Sequence, residues 1–182
     1  MPAYYFDIET YTVGKLPNPD IDRIITIQFQ KMDTRTGRPI GDLVVLKEWE
    51  SSERDIVMRF YKQFFANLDV WDFIPVGFNL NFEWEFLIAK FGKYTRRKFT
   101  SKDFHWGTPK IDLRDIAILL NDGNFKGATL QRFSRKVHTG ASIRQWYDNK
   151  EFGQIESYVK NENEAFLELY QKIKGNIQKL LE

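Results

Sequence analysis

The pattern of hydrophobic and polar positions in the first fifty residues is typical of three β-strands. The apolar run 3–8 predicts a first strand and the run 24–29 predicts a second, with a stretch rich in turn-forming residues between them. The segment 33–37 predicts a hairpin turn into a third strand over 42–49. Because tight turns join neighbouring antiparallel strands, we expect these three strands to form a meander.

The pattern then changes to strands that alternate with helices. Apolar residues at helical spacing predict a helix over 51–68, which a serine at its start can cap. The run 73–78 predicts a short buried strand, and an asparagine at position 79 or 81 can open the next helix. A basic loop over 93–102 follows that helix. Because helices separate these strands, we expect the later strands to join the sheet in parallel orientation.

The last third of the chain is mostly helical. A fifth short strand is predicted over 110–113, and Asp112 and Asp115 are suited to cap the helix that follows it. The final long helix begins near Gly153. An antiparallel meander followed by parallel strands and helices predicts an α/β domain with a mixed sheet flanked by helices.

Composition narrows the class of protein and the kinds of site. The 182 residues, of which 42% are hydrophobic, suit a single globular domain covering residues 1–182. The chain has no cysteine and only two histidines. Disulfides, thiolate metal centres, a cysteine nucleophile and a multi-histidine zinc site are therefore excluded.

The charge of the chain is too small to indicate a partner by itself. The net charge is +2, and the pI of about 8.6 is below the range of many dedicated nucleic-acid binders. No apolar run approaches the roughly 20 residues of a membrane span. Two acids among the first nine residues argue against a secretory signal. We therefore expect a cytoplasmic protein without membrane contact.

Two acidic residues interrupt the first predicted strand. Asp7 and Glu9 are two positions apart, so their side chains lie on one face of the strand while Phe6 and Ile8 point to the other. Neighbouring carboxylates repel one another and lose hydration when they are buried. A hard divalent cation such as Mg²⁺ or Mn²⁺ relieves both penalties. The pair indicates either a metal site or two solvated acids at a frayed strand end.

Three segments resemble the motifs of the DEDD 3′–5′ exonucleases, which include the proofreading domains of family B DNA polymerases. Residues 7–10 (DIET) are similar to the first motif and residues 76–87 (VGFNLNFEWEFL) to the second. Residues 155–162 (IESYVKNE) resemble the third motif in its tyrosine form. The motifs occur in the family's order and span nearly the whole chain. The resemblance implies a ribonuclease-H-like fold.

The sequence departs from the family at two positions. The family has aspartate in its second and third motifs, where this chain has Glu83 and Glu162. Glu85 and Glu164 are poor alternatives, because a residue two positions further along a helix lies about 200° around it. Tyr158 and Glu162 are four positions apart and share one helix face. Glu83 and Glu162 are therefore the best candidates for the motif positions, and each side chain is one methylene longer than the aspartate of the family.

The resemblance implies hydrolysis of phosphodiester bonds with two divalent cations, Mg²⁺ or Mn²⁺. It assigns the metal ligands and the water-orienting residue to Asp7, Glu9, Glu83, Glu162 and Tyr158. The implied substrate is the 3′ end of single-stranded DNA or RNA, with DNA favoured. Two alternatives stay open: an exonuclease-like module that binds nucleic acid or a partner with little or no activity, and a different nuclease on the same fold.

Further residues are candidates for substrate contacts because they adjoin a motif or carry positive charge. The loop 93–102 has five cations and no acid, and aromatic residues interrupt it, which suits a track for a single strand. Alternatives are a solvated loop for this segment and a helix cap for position 79. Replication or repair proteins are the expected partners. The candidate residues are Thr10, Tyr11, Asn79, Arg96, Arg97 and Lys98.

Overall fold

A mixed sheet forms the centre of the computed structural model, which describes residues 1–67, 69–134 and 140–179. Within these ranges the sheet has five strands in the order β3-β2-β1-β4-β5. The strands are β1 (Ala3–Tyr11), β2 (Arg23–Met32), β3 (Val44–Lys47), β4 (Ile74–Gly77) and β5 (Ile111–Asp112).

The pairing of the strands confirms the predicted fold class. β1 pairs antiparallel with β2, and β2 pairs antiparallel with β3, whereas β4 and β5 add to the sheet in parallel. The predicted hairpin turn follows β2. There Asp33 accepts hydrogen bonds from the backbone N–H groups of Arg35 and Thr36, and Gly37 adopts a φ of 73°. These turn contacts hold the meander in register.

The helices surround the sheet. In the described part of the chain they are α1 (Glu53–Phe64), α2 (Leu80–Tyr94), α3 (Ser101–His105), α4 (Leu113–Leu120), α5 (Leu130–Phe133), α6 (Ile143–Asp148) and α7 (Phe152–Lys179). Ser52 caps α1 by accepting from the N–H of Asp55. This helix ends at Phe64, and Leu68, where we expected its end, lies outside the described residues. None of the helices described is long and apolar enough to cross a membrane.

One side of the sheet, the aromatic face, is covered by α1 and α2. Phe6 stacks on Phe60 of α1 at 5.1 Å and on Trp84 of α2 at 5.7 Å between ring centroids. All three side chains are buried. The sheet residues of the aromatic face are Phe6, Ile8, Ile24, Ile27, Phe29 and Leu46.

The opposite side, the polar face, is covered mainly by α7. Tyr5 packs on Phe166 of α7 with ring centroids 4.9 Å apart, and shorter helices complete this layer. β1 and β2 lose one step of register between Glu9 and Thr10, and Ile25 is left without a cross-strand partner at that point. The sheet residues of the polar face in these two strands are Tyr5, Asp7, Glu9, Thr26, Gln28, Gln30 and Met32.

Candidate active site

Three carboxylates meet at the polar face. Asp7 and Glu9 project from β1, and Glu162 projects from α7, which crosses above them. One oxygen of each side chain lies within 4.8 Å of the others. The two-residue period of the strand brings the first pair together, whereas only the packing of α7 on the sheet brings Glu162 to them. Oxygen donors at this separation are suited to a hard divalent cation.

Glu83 joins this group from the first turn of α2. Its side chain lies beside the carboxyl group of Asp7, and only 3% of the residue is exposed. Burial raises the pKa of Glu83 well above its usual range, and the charge of Asp7 raises it further. Its Oε2 atom has no hydrogen-bond partner among the described residues. A buried acid with an unused oxygen beside other carboxylates fits a cation-binding role.

Tyr158 lies one turn before Glu162 on α7. Burial raises the pKa of its hydroxyl, and the nearby charges of Glu9 and Glu162 raise it further. The hydroxyl therefore stays protonated and able to donate a hydrogen bond. A Cβ atom on Gly140 would lie 3.6 Å from this hydroxyl oxygen, so the turn before α6 approaches the site closely.

The glutamates at positions 83 and 162 both reach the cluster despite their extra methylene. Glu162 lies within reach of Asp7 and Glu9, and Glu83 lies beside Asp7. Glu85, by contrast, is exposed and faces Ser101 and His105. Glu164 is exposed as well.

Two buried residues of β2 support the carboxylates and were not among the residues that we predicted from the sequence. Gln28 donates from Nε2 to Oδ2 of Asp7 at 2.6 Å. Thr26 donates from Oγ1 to Oε1 of Gln28 at 2.9 Å. The alternation of polar residues 26, 28 and 30 with apolar neighbours is the sequence signal that could have indicated them.

Asp112 connects the starts of two helices. It caps α4 by accepting from the N–H of Arg114, as we predicted. It also accepts from the N–H groups of Asn79 and Leu80 at 2.8 Å each, and these groups lie at the start of α2. The side chain of Asn79 therefore does not cap α2; it accepts a hydrogen bond from Arg114. The φ of Asn79 is 72°, a left-handed conformation that asparagine tolerates.

A groove of about 460 Å³ opens beside Glu9 and Thr10. Its volume is in the range of small-molecule sites. Asp22 holds the loop on one side of the groove by accepting from the N–H groups of Val13 and Asn18. The residues that line the groove also include Lys15, Phe82, Ile143 and Arg144.

Tyr11 lies beyond the groove and connects β1 to α6. Its hydroxyl donates to Oδ1 of Asp148 at 2.8 Å. Its ring packs on Tyr147 with centroids 5.1 Å apart, and the guanidinium of Arg23 lies 5.1 Å from its centroid. These contacts give Tyr11 a structural role at the rim of the site.

The structure does not bring the basic loop to the carboxylates. Thr95, the first residue of this segment beyond α2, lies twelve positions after Glu83, which corresponds to about 18 Å at the helical rise per residue. The guanidinium of Arg97 lies 4.7 Å from the ring centroid of Phe99 and lines a separate cavity of about 130 Å³. Arg96 and Lys98 are exposed.

Comparison with known proteins identifies the fold. No family model matches the sequence, and no curated protein matches it. Solved structures do match. E. coli exonuclease I in complex with a dT13 oligonucleotide superposes with a TM-score of 0.66 at 13% identity, covering 99% of this chain and 42% of that chain. The zinc-bound form of the E. coli exonuclease I–single-stranded DNA complex gives the same values.

A third match, the complex of exonuclease I with the SSB C-terminus, has a TM-score of 0.64 at 13% identity, with 98% of this chain and 42% of that chain covered. The chain thus spans less than half the length of the exonuclease I structures. At this identity the likeness is evidence for the fold. The chain therefore has the ribonuclease-H-like α/β fold of these exonuclease structures.

Proposed function

We propose that this protein is a metal-dependent 3′–5′ exonuclease that degrades single-stranded nucleic acid, with DNA as the favoured substrate. The observation that carries the proposal is the carboxylate cluster. Asp7, Glu9 and Glu162 have oxygens within 4.8 Å of one another, and Glu83 lies beside Asp7. The match to exonuclease I structures with bound oligonucleotide supports the same reading.

The residues of the cluster take the roles that the tyrosine form of the DEDD family implies. Two bound cations, Mg²⁺ or Mn²⁺, would supply an activated water and stabilise the leaving oxygen. Asp7, Glu9, Glu83 and Glu162 would hold them. Tyr158 keeps its proton, and its hydroxyl would orient the attacking water through a hydrogen bond.

The groove beside Glu9 is the proposed site of the 3′-terminal nucleotide. Thr10 lines it next to the carboxylates, and Phe82 and Ile143 provide apolar surface against which a base could pack. Lys15 and Arg144 provide positive charge at its edge. Arg96, Arg97 and Lys98 would contact the strand further from its end. Asn79 would fix the start of α2 close to Glu83, and Tyr11 would act by shaping the rim.

The proposed partners follow from the same comparison. One matching structure contains exonuclease I with the SSB C-terminus, which supports our proposal of replication or repair proteins as partners. We further propose that the protein acts in the cytoplasm.

A cleavage ladder tests the proposed function. Single-stranded DNA and RNA, each labelled at the 5′ end, are incubated with the protein and Mg²⁺ or Mn²⁺, with Asp7→Ala as the control. We expect products that shorten by one nucleotide from the 3′ end and that disappear in the variant. Oligonucleotide binding without cleavage would favour the binding module, and internal cuts would favour a different nuclease on this fold.

A further inference from the structure

Two buried polar residues of β2 lie directly opposite the acids of the neighbouring strand β1. In the register of β1 and β2, Gln28 is opposite Asp7 and Thr26 is opposite Glu9. Both β2 residues have no exposed surface. Leaving buried polar side chains without partners is unfavourable, so their hydrogen bonds explain how the fold tolerates them.

The hydrogen bonds of these residues have a fixed direction. The hydroxyl of Thr26 donates to the amide oxygen of Gln28 at 2.9 Å. This contact turns the amide nitrogen of Gln28 towards Asp7, where it donates to Oδ2 at 2.6 Å. The reverse orientation would place two acceptors, the amide oxygen and the carboxylate, against each other. Thr26 therefore orients Gln28, and Gln28 in turn holds one oxygen of Asp7.

Gln30 provides a comparison within the same strand. It lies two residues further along β2 on the polar face and is also buried, opposite Tyr5. Its Nε2 donates to the carbonyl oxygen of Gly41 at 2.8 Å, outside the carboxylate cluster. The two glutamines share residue type, strand and burial, but only Gln28 touches a carboxylate of the site.

We propose that Gln28 is a positioning residue for Asp7, with Thr26 orienting Gln28. The inference rests on the proposed function, because it assigns Asp7 to a metal centre. A donor held against one carboxylate oxygen restricts the rotation of the carboxylate plane. Asp7 would then keep one orientation relative to Glu9, Glu83 and Glu162. Such outer partners of a metal ligand typically change metal affinity or activity by about 10–100-fold when they are lost.

The test compares three variants of the full chain. Gln28→Met keeps the approximate volume of the side chain and removes the donor. Thr26→Val is nearly isosteric and removes only the hydroxyl that orients Gln28. Gln30→Met is the matched control. For each protein, Mn²⁺ affinity is measured by isothermal titration calorimetry, unfolding by urea, and kcat and KM on a 5′-labelled oligonucleotide.

We expect Gln28→Met to weaken Mn²⁺ binding by about 10–100-fold and to lower kcat, with KM for the oligonucleotide changed by less than about twofold. Thr26→Val should act in the same direction with a smaller effect. Gln30→Met should lower the resistance to urea and leave Mn²⁺ affinity unchanged. A merely structural role of Gln28 predicts equal effects of the two glutamine substitutions.

Wild-type Mn²⁺ affinity in Gln28→Met, or an equal loss in Gln30→Met, would overturn the inference. If Gln28→Met does not fold, Thr26→Val decides, and unchanged Mn²⁺ affinity in that variant would overturn it. The calorimetric measurement does not depend on turnover. A wild-type protein that binds no Mn²⁺ would overturn the proposed function and this inference together, whereas loss of binding in Gln28→Met alone supports both.

Discussion

The two faces of the sheet are built from the same strands but differ in the character of their interiors. The aromatic face packs Phe6, Ile8, Ile27 and Phe29 against apolar side chains of α1 and α2. The polar face places acids, glutamines and a threonine under α7, although several of these residues are as buried as the phenylalanines. The first arrangement stabilises the fold by removing apolar surface from water.

The polar face gives up part of that stabilisation. Its carboxylates repel one another and lose hydration. Burial and the charge of Asp7 raise the pKa of Glu83, which reaches these carboxylates from the start of α2. A fold can retain such a group when a ligand or a reaction uses it. The comparison therefore assigns the proposed function to one face and most of the stability to the other, and four changes test that division.

The largest effect should come from Asp7 at the centre of the polar face. Asp7→Asn keeps the shape of the side chain and removes its charge. We expect a loss of kcat of about 1000-fold or more, equivalent to about 4 kcal/mol, with loss of Mn²⁺ binding and an unfolded fraction no larger than in wild type. Single-turnover cleavage, calorimetry and urea unfolding measure these quantities. Substantial remaining turnover would contradict the assignment of the polar face.

The opposite result is expected on the aromatic face. Phe60 of α1 has no exposed surface and contacts the rings of Phe6 and Phe29. Phe60→Ala should lower the free energy of unfolding by about 3–5 kcal/mol, with Phe60→Leu as the milder control. The folded fraction, measured by circular dichroism, should keep wild-type kcat and Mn²⁺ affinity. If activity decreases by a larger factor than the folded fraction does, the aromatic face also contributes to activity, and the proposed division between the faces is wrong.

A smaller effect, and one of opposite sign, is expected at Glu83. The pKa of this buried acid is raised above its usual range, so the folded state prefers the protonated form. The contribution of Glu83 to the stability of the metal-free protein is therefore fully present below the usual pKa of glutamate, about 4.3. This contribution is lost as pH rises through the raised pKa. Glu83→Gln should raise the melting temperature of the metal-free protein at neutral pH.

The control for this prediction is the same pair of proteins at acidic pH. Below about pH 4 the difference between wild type and Glu83→Gln should vanish, because both then carry a neutral side chain. Saturating Mn²⁺ should stabilise the wild type more than the variant. If the metal-free wild type has a higher melting temperature than Glu83→Gln at neutral pH, the buried acid does not destabilise the fold and the prediction is wrong.

The smallest effect should come from the basic loop, which lies outside both faces. Arg97→Gln removes one cation from the loop that follows the far end of α2 from Glu83. If this loop contacts the strand, the salt dependence of oligonucleotide binding should decrease by about 0.7 in the slope of log K against log salt, without a change in kcat. Lys172→Gln on α7 is the matched control. Equal behaviour of the two variants would remove the loop from the nucleic-acid interface.

Local periodicity in the sequence was sufficient to predict the order and type of the main elements. A period of two placed Asp7 and Glu9 on one strand face, and a spacing of four placed Tyr158 and Glu162 on one helix face. Both relations involve near neighbours whose geometry depends on the backbone alone. The antiparallel meander followed the same logic, because tight turns leave few other pairings. The family resemblance added that these two pairs belong together.

The tertiary structure decided which distant residues meet. Strand order and the docking of α7 bring Glu162 to Asp7, and the register of β1 against β2 places Gln28 opposite it. A polar residue at every second position of a strand is ordinarily expected to face water, and only the tertiary packing on this face buries Gln28. In the same way the length of α2 carries Arg97 away from the carboxylates. The sequence by itself determined side-chain chemistry and local periodicity. The packing of helices on the sheet determined which of those groups form one site, because contacts between distant parts of the chain depend on strand order, register and helix length together.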